Sequence, residues 1–337
     1  MRVLTYADAI REAFAQLLAS DPRVFVIGQG LWSPWYVGSS MTDIDKKFGR
    51  ERVLDSPVSE NATTGAAIGA AIAGMRPIVV HPRMDFMLLA TDPIVNQAAN
   101  WSYMFAGGAG APVVFRPIIN RGGEQAAQHS QALQAMFAHV PGLKVVMPST
   151  PYDAKGLLIA AVNDGNPVMY IDDRWLYAET GEVPEEMFSV PIGRAAIRRA
   201  GRDLTIVASS YLAAQAVEAA ASLASEGIDA EVIDLRALKP WDKETVFHSV
   251  RKTGKLLVAD GAWKTCGVAA EIAATVAEEA FDALKAPIVR VTLPDTPAPM
   301  ARTLEDAYYV RAPHIIAAVK RMLRGTTLRE PSPTSAS

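Results

Sequence analysis

The sequence has little of what marks several classes of protein. Its 337 residues include a single cysteine, Cys266, which excludes an intramolecular disulfide framework and a cysteine-rich metal site. The net charge of −3 shows no basic excess for nucleic acid and no polybasic face for a membrane surface. These absences leave small molecules and other proteins as partners, and the near absence of cysteine predicts a cytoplasmic location.

Long apolar segments and common catalytic motifs are missing as well. The N-terminus lacks the apolar run of a signal peptide, and runs such as 66–75 are too short and glycine-rich to span a bilayer. There is no HExxH, no DxDxDG, no P-loop, no GxGxxG between a strand and a helix, and no GxSxG. The sequence therefore does not predict a metal site, a phosphate cradle or a serine nucleophile of a common kind.

Short apolar runs instead alternate with helical patterns along most of the chain. In the first half the apolar runs occupy 24–28, 77–80, 112–115, 143–147 and 168–171. Continuous runs of this length are typical of strands buried on both faces. Helical patterns follow a cap at Thr5 and recur at 62–74, 86–105, 131–137 and 151–162. The alternation predicts a mostly parallel sheet.

A change of pattern near residue 180 divides the chain. Residues 181–197 are acidic, rich in turn residues and without apolar periodicity, which predicts a linker. A second alternating unit follows, with apolar runs at 204–208, 230–234, 255–259 and 288–291. We expect an α/β fold with two open, mostly parallel sheets, in domains 1–180 and 198–325, and a disordered tail at 326–337.

Polar residues at the carboxyl ends of the predicted strands are the candidates for chemistry, because ligands of open parallel sheets lie there. Glu60 opens a helix rich in alanine and glycine. It is either a first-turn residue favoured by the helix dipole or an acid that holds a proton in a desolvated cleft. His129, in a polar loop, is either a surface residue or an acid or base, and His81 is a further candidate. The other three histidines are predicted to be structural.

Several segments closely resemble the beta subunit of the E1 component of 2-oxo acid dehydrogenases, which are thiamine diphosphate enzymes of the transketolase superfamily. The segments are Asp55–Glu60 with the Gly/Ala helix after it, Ile94–Ala99, Ala126–Gln131, His139–Val146, Asp153–Leu158 and Val291–Asp295. The resemblance extends to about residue 324. It implies a pyrimidine-binding domain followed by a transketolase C-terminal domain.

The resemblance also implies roles for individual residues. Glu60 would hydrogen-bond N1′ of the aminopyrimidine of thiamine diphosphate, and Phe86 would pack beside that ring. His129 would lie at the substrate end of the cleft. The diphosphate and Mg²⁺ would be held mainly by an alpha subunit in an α2β2 heterotetramer, and a lipoyl-bearing acyltransferase is a further implied partner. Family members also bind structural K⁺ through backbone oxygens at positions that match Val113, Ala161, Val162, Asp164 and Asn166.

The sequence departs from the family pattern at two places. Gln29 stands where most members have an acid that belongs to a chain of carboxylates coupling two active sites, and Asp92 matches another member of that chain. Glutamine can pass a hydrogen bond but cannot ionise, which argues against proton coupling between the sites. The loop after Val80 is charged where the family is mostly apolar, and Arg83 or His81 would suit a polar, phosphorylated or sugar-like substrate.

The first hypothesis is therefore the beta subunit of an enzyme that oxidatively decarboxylates a 2-oxo acid and passes the acyl unit to a lipoyl acceptor. An alternative is the C-terminal half of a split transketolase-like enzyme that transfers a two-carbon ketol or acyl unit to a sugar or another acceptor. Gln29 and the charged loop favour this alternative. A further alternative is a non-catalytic assembly module, against which the presence of Glu60, Phe86 and His129 argues.

Overall fold

A computed structural model describes residues 1–324 of the chain, and the tail predicted at 326–337 lies outside the described residues. The strands of the N-terminal part are β1 (Arg2–Thr5), β2 (Val24–Gly28), β3 (Val53–Asp55), β4 (Arg76–His81), β5 (Val114–Ile119), β6 (Lys144–Val146), β7 (Val168–Tyr170), β8 (Asp172–Asp173) and β9 (Thr180–Val183). Its α-helices are α1 (Tyr6–Ser20), α2 (Ile44–Phe48), α3 (Glu60–Ile72), α4 (Ala99–Met104), α5 (Gln134–His139) and α6 (Pro151–Asn163).

The C-terminal part alternates strands and helices in the same way. Its strands are β10 (Ala196–Arg199), β11 (Leu204–Ala208), β12 (Ala230–Asp234), β13 (Ala237–Lys239), β14 (Leu256–Trp263) and β15 (Val289–Leu293). Its α-helices are α7 (Ser210–Ser225), α8 (Lys243–Thr253), α9 (Val268–Glu279), α10 (Arg302–Tyr308) and α11 (Ala312–Leu323). Within residues 1–324, no helix combines the length and the apolar character that crossing a bilayer requires.

The N-terminal sheet has the order β13-β6-β7-β5-β4-β2-β3, and β8 extends the pairing of β5. All neighbours are parallel except β13, which runs antiparallel to β6. The C-terminal sheet has the order β10-β12-β11-β14-β15, parallel except for the edge strand β10. The predicted fold class, α/β with two open and mostly parallel sheets, is confirmed.

The order in which the strands are added to the N-terminal sheet reverses at β2. Strand β3 pairs with one edge of β2 and β4 with the other, so the two crossovers that follow β2 lead to opposite sides. The loops beyond the carboxyl ends of β2, β3 and β4 diverge at such a switch point and leave a crevice between them. The crevice is the place where a ligand of this sheet is expected.

The first helix forms as its sequence predicts. Thr5 caps α1, with its hydroxyl oxygen accepting a hydrogen bond from the Asp8 amide at 3.1 Å. The stripe of Ala9, Ile10, Ala13, Phe14 and Leu17 is buried on one face of the helix, and α1 packs against α6. This packing supports the sheet from the face opposite α3.

The segment predicted as a linker, 181–197, contains regular structure at both ends. Strand β9 pairs antiparallel with β1, from Arg2 opposite Val183 to Thr5 opposite Thr180. Strand β10 begins at Ala196 and forms the edge of the second sheet. The prediction of an irregular segment was wrong at these ends, because the partner strands supply hydrogen bonds that local apolar periodicity does not reveal.

The long helix predicted at 86–105 is helical throughout but not uniform. A 3₁₀ segment (Phe86–Ala90) leads through a π-helical segment (Pro93–Ala98) into α4. Pro93 has no amide hydrogen to donate to the preceding turn, so the backbone widens at that point. The helix predicted at 131–137 begins three residues later than expected, at Gln134.

Candidate active site

The crevice at the switch point collects residues from the ends of three strands, β2, β3 and β4. Glycine and glutamine come from the end of β2, the Ser56–Glu60 segment follows β3, and His81, Pro82 and Phe86 follow β4. The cleft, called here the Glu60 cleft, is lined by Gly28, Gln29, Ser56, Pro57, Val58, Ser59, Glu60, Thr63, Val79, Val80, His81, Pro82 and Phe86. Four of the residues that the sequence singles out, Gln29, Glu60, His81 and Phe86, therefore lie in one place.

Glu60 is the first residue of α3 and is partly exposed to the cleft. The N-terminal end of a helix stabilises a carboxylate through its unpaired amides and the helix dipole. In the described part of the chain the Glu60 carboxylate accepts no hydrogen bond and pairs with no cation. The apolar side chains of Val58, Val80 and Phe86 lie around it. The carboxylate is thus free to share a proton with a ligand.

A close approach of two backbones shapes one wall of the cleft. A Cβ atom on Gly28 would lie 2.3 Å from the carbonyl oxygen of Val80, so β2 and β4 leave room for glycine alone. The turn after Gly28 is held by Asp55, whose Oδ1 accepts a hydrogen bond from the Gly30 amide at 2.6 Å. Gln29 lies between these two fixed points. Its position at the cleft therefore follows from the ends of β2 and β3.

His81 lines the cleft but is almost completely shielded from solvent. The side chain is 3% exposed, and Nε2 lies 3.4 Å from the Thr64 hydroxyl of α3. Burial in these apolar surroundings lowers the pKa of His81 to about 4, so the imidazole is neutral at physiological pH. His81 can offer a hydrogen bond to a neighbour but brings no charge to a substrate.

The segment after β4 and the loop before α5 contact each other. The ring of Phe86 contacts the ring of His129 edge-on, with 5.2 Å between their centroids. The Oδ1 atom of Asp85 accepts hydrogen bonds from the backbone amide and the side chain of Gln131, at 3.1 Å and 2.9 Å. These contacts place His129 beside Phe86, which lines the cleft.

A second set of polar contacts joins the same loops, and sequence inspection missed most of it. Arg83 donates from Nη2 to Oε1 of Gln125 at 3.3 Å, and Asn120 donates to the same oxygen at 3.1 Å. Arg174 donates from Nη1 to Oδ1 of Asn120 at 2.9 Å. Asn120 directly follows β5 and Arg174 directly follows β8, so their positions at strand ends are the signal that could have found them.

Asp92 does not lie in the Glu60 cleft. It is exposed at the start of the π-helical segment, where its carboxylate accepts a hydrogen bond from Asn96 at 2.7 Å. The part of Asp92 in a chain of carboxylates that couples two active sites stays a prediction. Glu305 of the second domain does reach the first domain, since its Oε2 accepts the Glu124 amide at 3.0 Å.

Most of the residues predicted to bind potassium lie at or just after the end of α6. Arg76 and Lys144 already bind oxygen atoms of this set. The carbonyl oxygen of Val162 accepts a hydrogen bond from Arg76 at 2.5 Å, and the Asp164 carboxylate pairs with Lys144 at 2.5 Å. Potassium binding at this set of residues stays a prediction. Among residues 1–324 no group of three or more His, Cys, Asp or Glu could hold another metal.

Comparison with known families identifies both halves of the chain. Residues 2–179 match the pyrimidine-binding domain of transketolase, and residues 193–315 match the transketolase C-terminal domain. The chain is 46% identical to the beta subunit of acetoin:2,6-dichlorophenolindophenol oxidoreductase of Cupriavidus necator, over 96% of this chain and 98% of the relative. It is 41% identical to the pyruvate dehydrogenase E1 beta subunit of Rhizobium meliloti, over 95% and 70% of the two chains.

The chain belongs to the E1 beta-subunit family of the transketolase superfamily. The Bacillus subtilis acetoin:2,6-dichlorophenolindophenol oxidoreductase beta subunit, 41% identical over 96% of this chain and 98% of the relative, is a further member. The fold agrees with a solved split-gene transketolase described as an inactive β4 tetramer, with a TM-score of 0.77 and 25% identity over 96% of this chain and 99% of that one. The family is one of thiamine diphosphate enzymes, which fits a pyrimidine-binding domain built around the Glu60 cleft.

Proposed function

We propose that this chain is the beta subunit of a heteromeric thiamine diphosphate-dependent enzyme that decarboxylates a 2-oxo acid oxidatively and passes the acyl unit to a lipoyl acceptor. The observation that carries the proposal is the Glu60 carboxylate, unpartnered at a helix N-terminus and facing an apolar wall that includes Phe86. That pairing suits a flat heterocycle with one basic nitrogen. Relatives named for acetoin leave a hydroxyketone as an equally suitable donor.

The residues of the cleft have separate tasks in this proposal. Thiamine diphosphate, when bound, supplies a carbon nucleophile and an electron sink for bonds beside a carbonyl. Glu60 shares a proton with the pyrimidine through its carboxylate oxygens, and the α3 N-terminus stabilises the charge that remains on Glu60. Phe86 covers one face of the ring site. His129 offers a ring nitrogen near the substrate end, where Phe86 fixes the imidazole plane.

An alpha partner is part of the proposal, because the sequence has no P-loop and no GxGxxG between a strand and a helix to hold the diphosphate. Its relatives are named as beta subunits. We propose that the partner holds the diphosphate with Mg²⁺ in an α2β2 heterotetramer, as the resemblance implies. The exposed face of α3, made of Ala62, Gly65, Ala66 and Gly69, is flat enough for a second chain to approach closely. A lipoyl-bearing acyltransferase is the proposed acceptor, and a cytoplasmic location remains a prediction.

A split transketolase-like activity is the second candidate. It is supported by the likeness to the split-gene transketolase and by the charged loop that carries Arg83. An assembly module without catalysis is the third candidate, and the availability of Glu60 argues against it. The assembly module differs from the two catalytic candidates in what happens when Glu60 loses its ability to ionise, because only the catalytic candidates need its proton.

The test is Glu60→Gln in the complex reconstituted with the alpha partner. Glutamine keeps the size and a hydrogen bond but cannot hold or release the proton, so thiamine-dependent turnover is expected to fall by about 10²- to 10⁴-fold. Glu51→Gln, at an exposed acid just before β3, is the matched control and is expected to retain wild-type turnover. Wild-type turnover in Glu60→Gln would refute the catalytic role, and the product formed from a 2-oxo acid or a sugar phosphate separates the first two candidates.

A further inference from the structure

Two arginines at the carboxyl edge of the N-terminal sheet have no carboxylate partner among residues 1–324. Arg83 is partly buried and uses one guanidinium nitrogen on Gln125, and the more exposed Arg174 uses one on Asn120. Each guanidinium has five N–H donors, so most of them are free. The Nε atom of Arg83 is buried and has no hydrogen-bond partner at all. A buried donor without an acceptor is costly, and a bound anion would remove that cost.

The two arginines belong to one hydrogen-bonded row. Gln125 accepts from both Arg83 and Asn120 on a single oxygen, and Asn120 in turn accepts from Arg174. The amide groups link two positive side chains without neutralising either one. Planar guanidinium groups in a fixed arrangement recognise the paired oxygens of carboxylate and phosphate.

Among residues 1–324, the carboxylates of Asp85, Asp173 and Glu305 pair with neither arginine. Asp85 receives two hydrogen bonds from Gln131, and its other oxygen contacts no cation. Asp173, next to Arg174 in the chain, pairs with the buried Arg121 at 2.9 Å. Glu305 accepts the Glu124 amide. The row from Arg83 to Arg174 therefore keeps its positive charge.

The row borders the Glu60 cleft. Arg83 lies between Pro82 and Phe86, which both line the cleft, and Gln125 belongs to the loop that carries His129. Positive charge at a partly enclosed opening raises the local concentration of anions.

We propose that Arg83 and Arg174, bridged by Gln125 and Asn120, form an anion subsite that takes the carboxylate or phosphate of the substrate. The role in turnover rests on the proposed function, whereas anion binding by the subsite does not. The two sources of the anion, a 2-oxo acid carboxylate and a phosphate ester, both present a pair of oxygens to a guanidinium and differ in shape, size and charge.

Ligand-observed NMR on the full chain tests the subsite with pyruvate, inorganic phosphate and uncharged acetoin as probes. We expect Arg83→Gln and Arg174→Gln each to weaken binding of one or both anions by at least about tenfold and to leave any acetoin signal unchanged. The anion that is lost identifies the source. Arg202→Gln, at a side chain that is 85% exposed in the second domain, is the matched control and is expected to bind like wild type.

The charge-conserving variants Arg83→Lys and Arg174→Lys guard against a loss caused by misfolding. They are expected to retain part of the anion affinity, and thermal unfolding of all variants establishes that each is folded. Wild-type anion binding in the double Gln variant, or an equal loss of acetoin and anion binding in folded variants, would overturn the subsite.

The same variants in the reconstituted complex separate this inference from the proposed function. Loss of kcat/KM for an anionic donor with unchanged kcat/KM for acetoin supports both. Arginine-dependent anion binding in a wild-type complex that has no thiamine-dependent turnover would refute the proposed function and leave the subsite standing. Turnover that depends on Glu60 but is insensitive to both arginines for every anionic donor would overturn the subsite alone.

Discussion

Glu60 occupies a position that is compatible with both interpretations of its sequence. It lies in the first turn of α3, where a helix favours a carboxylate, and it is also free of any partner in the described residues. The sequence predicted its place at a strand end and the helix after it. It could not predict that no cation of the protein would neutralise the carboxylate, since this depends on the folding of distant loops.

His81 gives a prediction about pH. Burial lowers its pKa to about 4 from the ordinary value of 6.5, so on acidification the unfolded chain takes up this proton before the folded chain does. The stability that neutral His81 contributes is present above pH 6.5 and is lost as the pH falls toward 4. Between pH 7 and pH 5 we expect a loss of about 2 kcal/mol in the free energy of unfolding from this residue.

Urea unfolding of wild type and His81→Leu at pH 7, 6 and 5 measures that loss. Leucine removes the titration and keeps the site apolar, so its unfolding free energy is expected to fall less steeply with pH than that of wild type. Parallel pH dependence in the two proteins would show that His81 is not buried as a neutral group. Exposed His248→Leu in α8 is the matched control and is expected to keep the wild-type slope.

Helix α3 is the element whose composition has no explanation within the chain. A Cβ atom added at Gly65 or Gly69 would meet nothing within 4 Å, so neither glycine is required by internal packing. Glycine inside a helix costs about 1 kcal/mol relative to alanine. A second chain packed on this face explains why such a costly residue occurs twice.

Substitution at Gly65 separates internal stability from assembly. Gly65→Ala is expected to raise the free energy of unfolding of the isolated chain by up to about 1 kcal/mol, as measured by urea unfolding. Gly65→Leu is expected to leave the chain folded and to weaken its association with the alpha partner, as measured by analytical ultracentrifugation. The control Ala221→Leu, at an exposed position of α7, is expected to assemble normally. Unchanged assembly in Gly65→Leu would place the partner elsewhere.

The strands differ in how readily the sequence predicts them. Strands β2, β4, β5, β11, β12 and β14 are largely buried apolar runs, and their sequence pattern alone identifies them. Strands β1, β9 and β13 have three or four residues each, and they form because a distant strand supplies the hydrogen bonds. Their pairing is a tertiary effect, which short local patterns do not encode.

At the scale of the whole molecule, strand order explains which site residues were predictable. The rule that ligands lie beyond strand ends brought Gln29, Glu60 and His81 together correctly, since β2, β3 and β4 are neighbours. The contact between Phe86 and His129 was not predictable from spacing, because the loop before α5 has no regular structure. Glu305 and Asp260 of the second domain also hold this region, through Glu124 and Gln134.

The central claim is that the Glu60 cleft forms only part of the thiamine diphosphate site and that an alpha subunit supplies the rest. Binding of thiamine diphosphate measures this most directly. Equilibrium titration with Mg²⁺ present compares the isolated chain, the chain with its alpha partner, and the Glu60→Gln chain with that partner. We expect weak binding by the isolated chain, tight binding by the wild-type complex, and weaker binding when Glu60 is replaced. Tight binding by the isolated chain, or binding by the complex that does not depend on Glu60, would contradict the account.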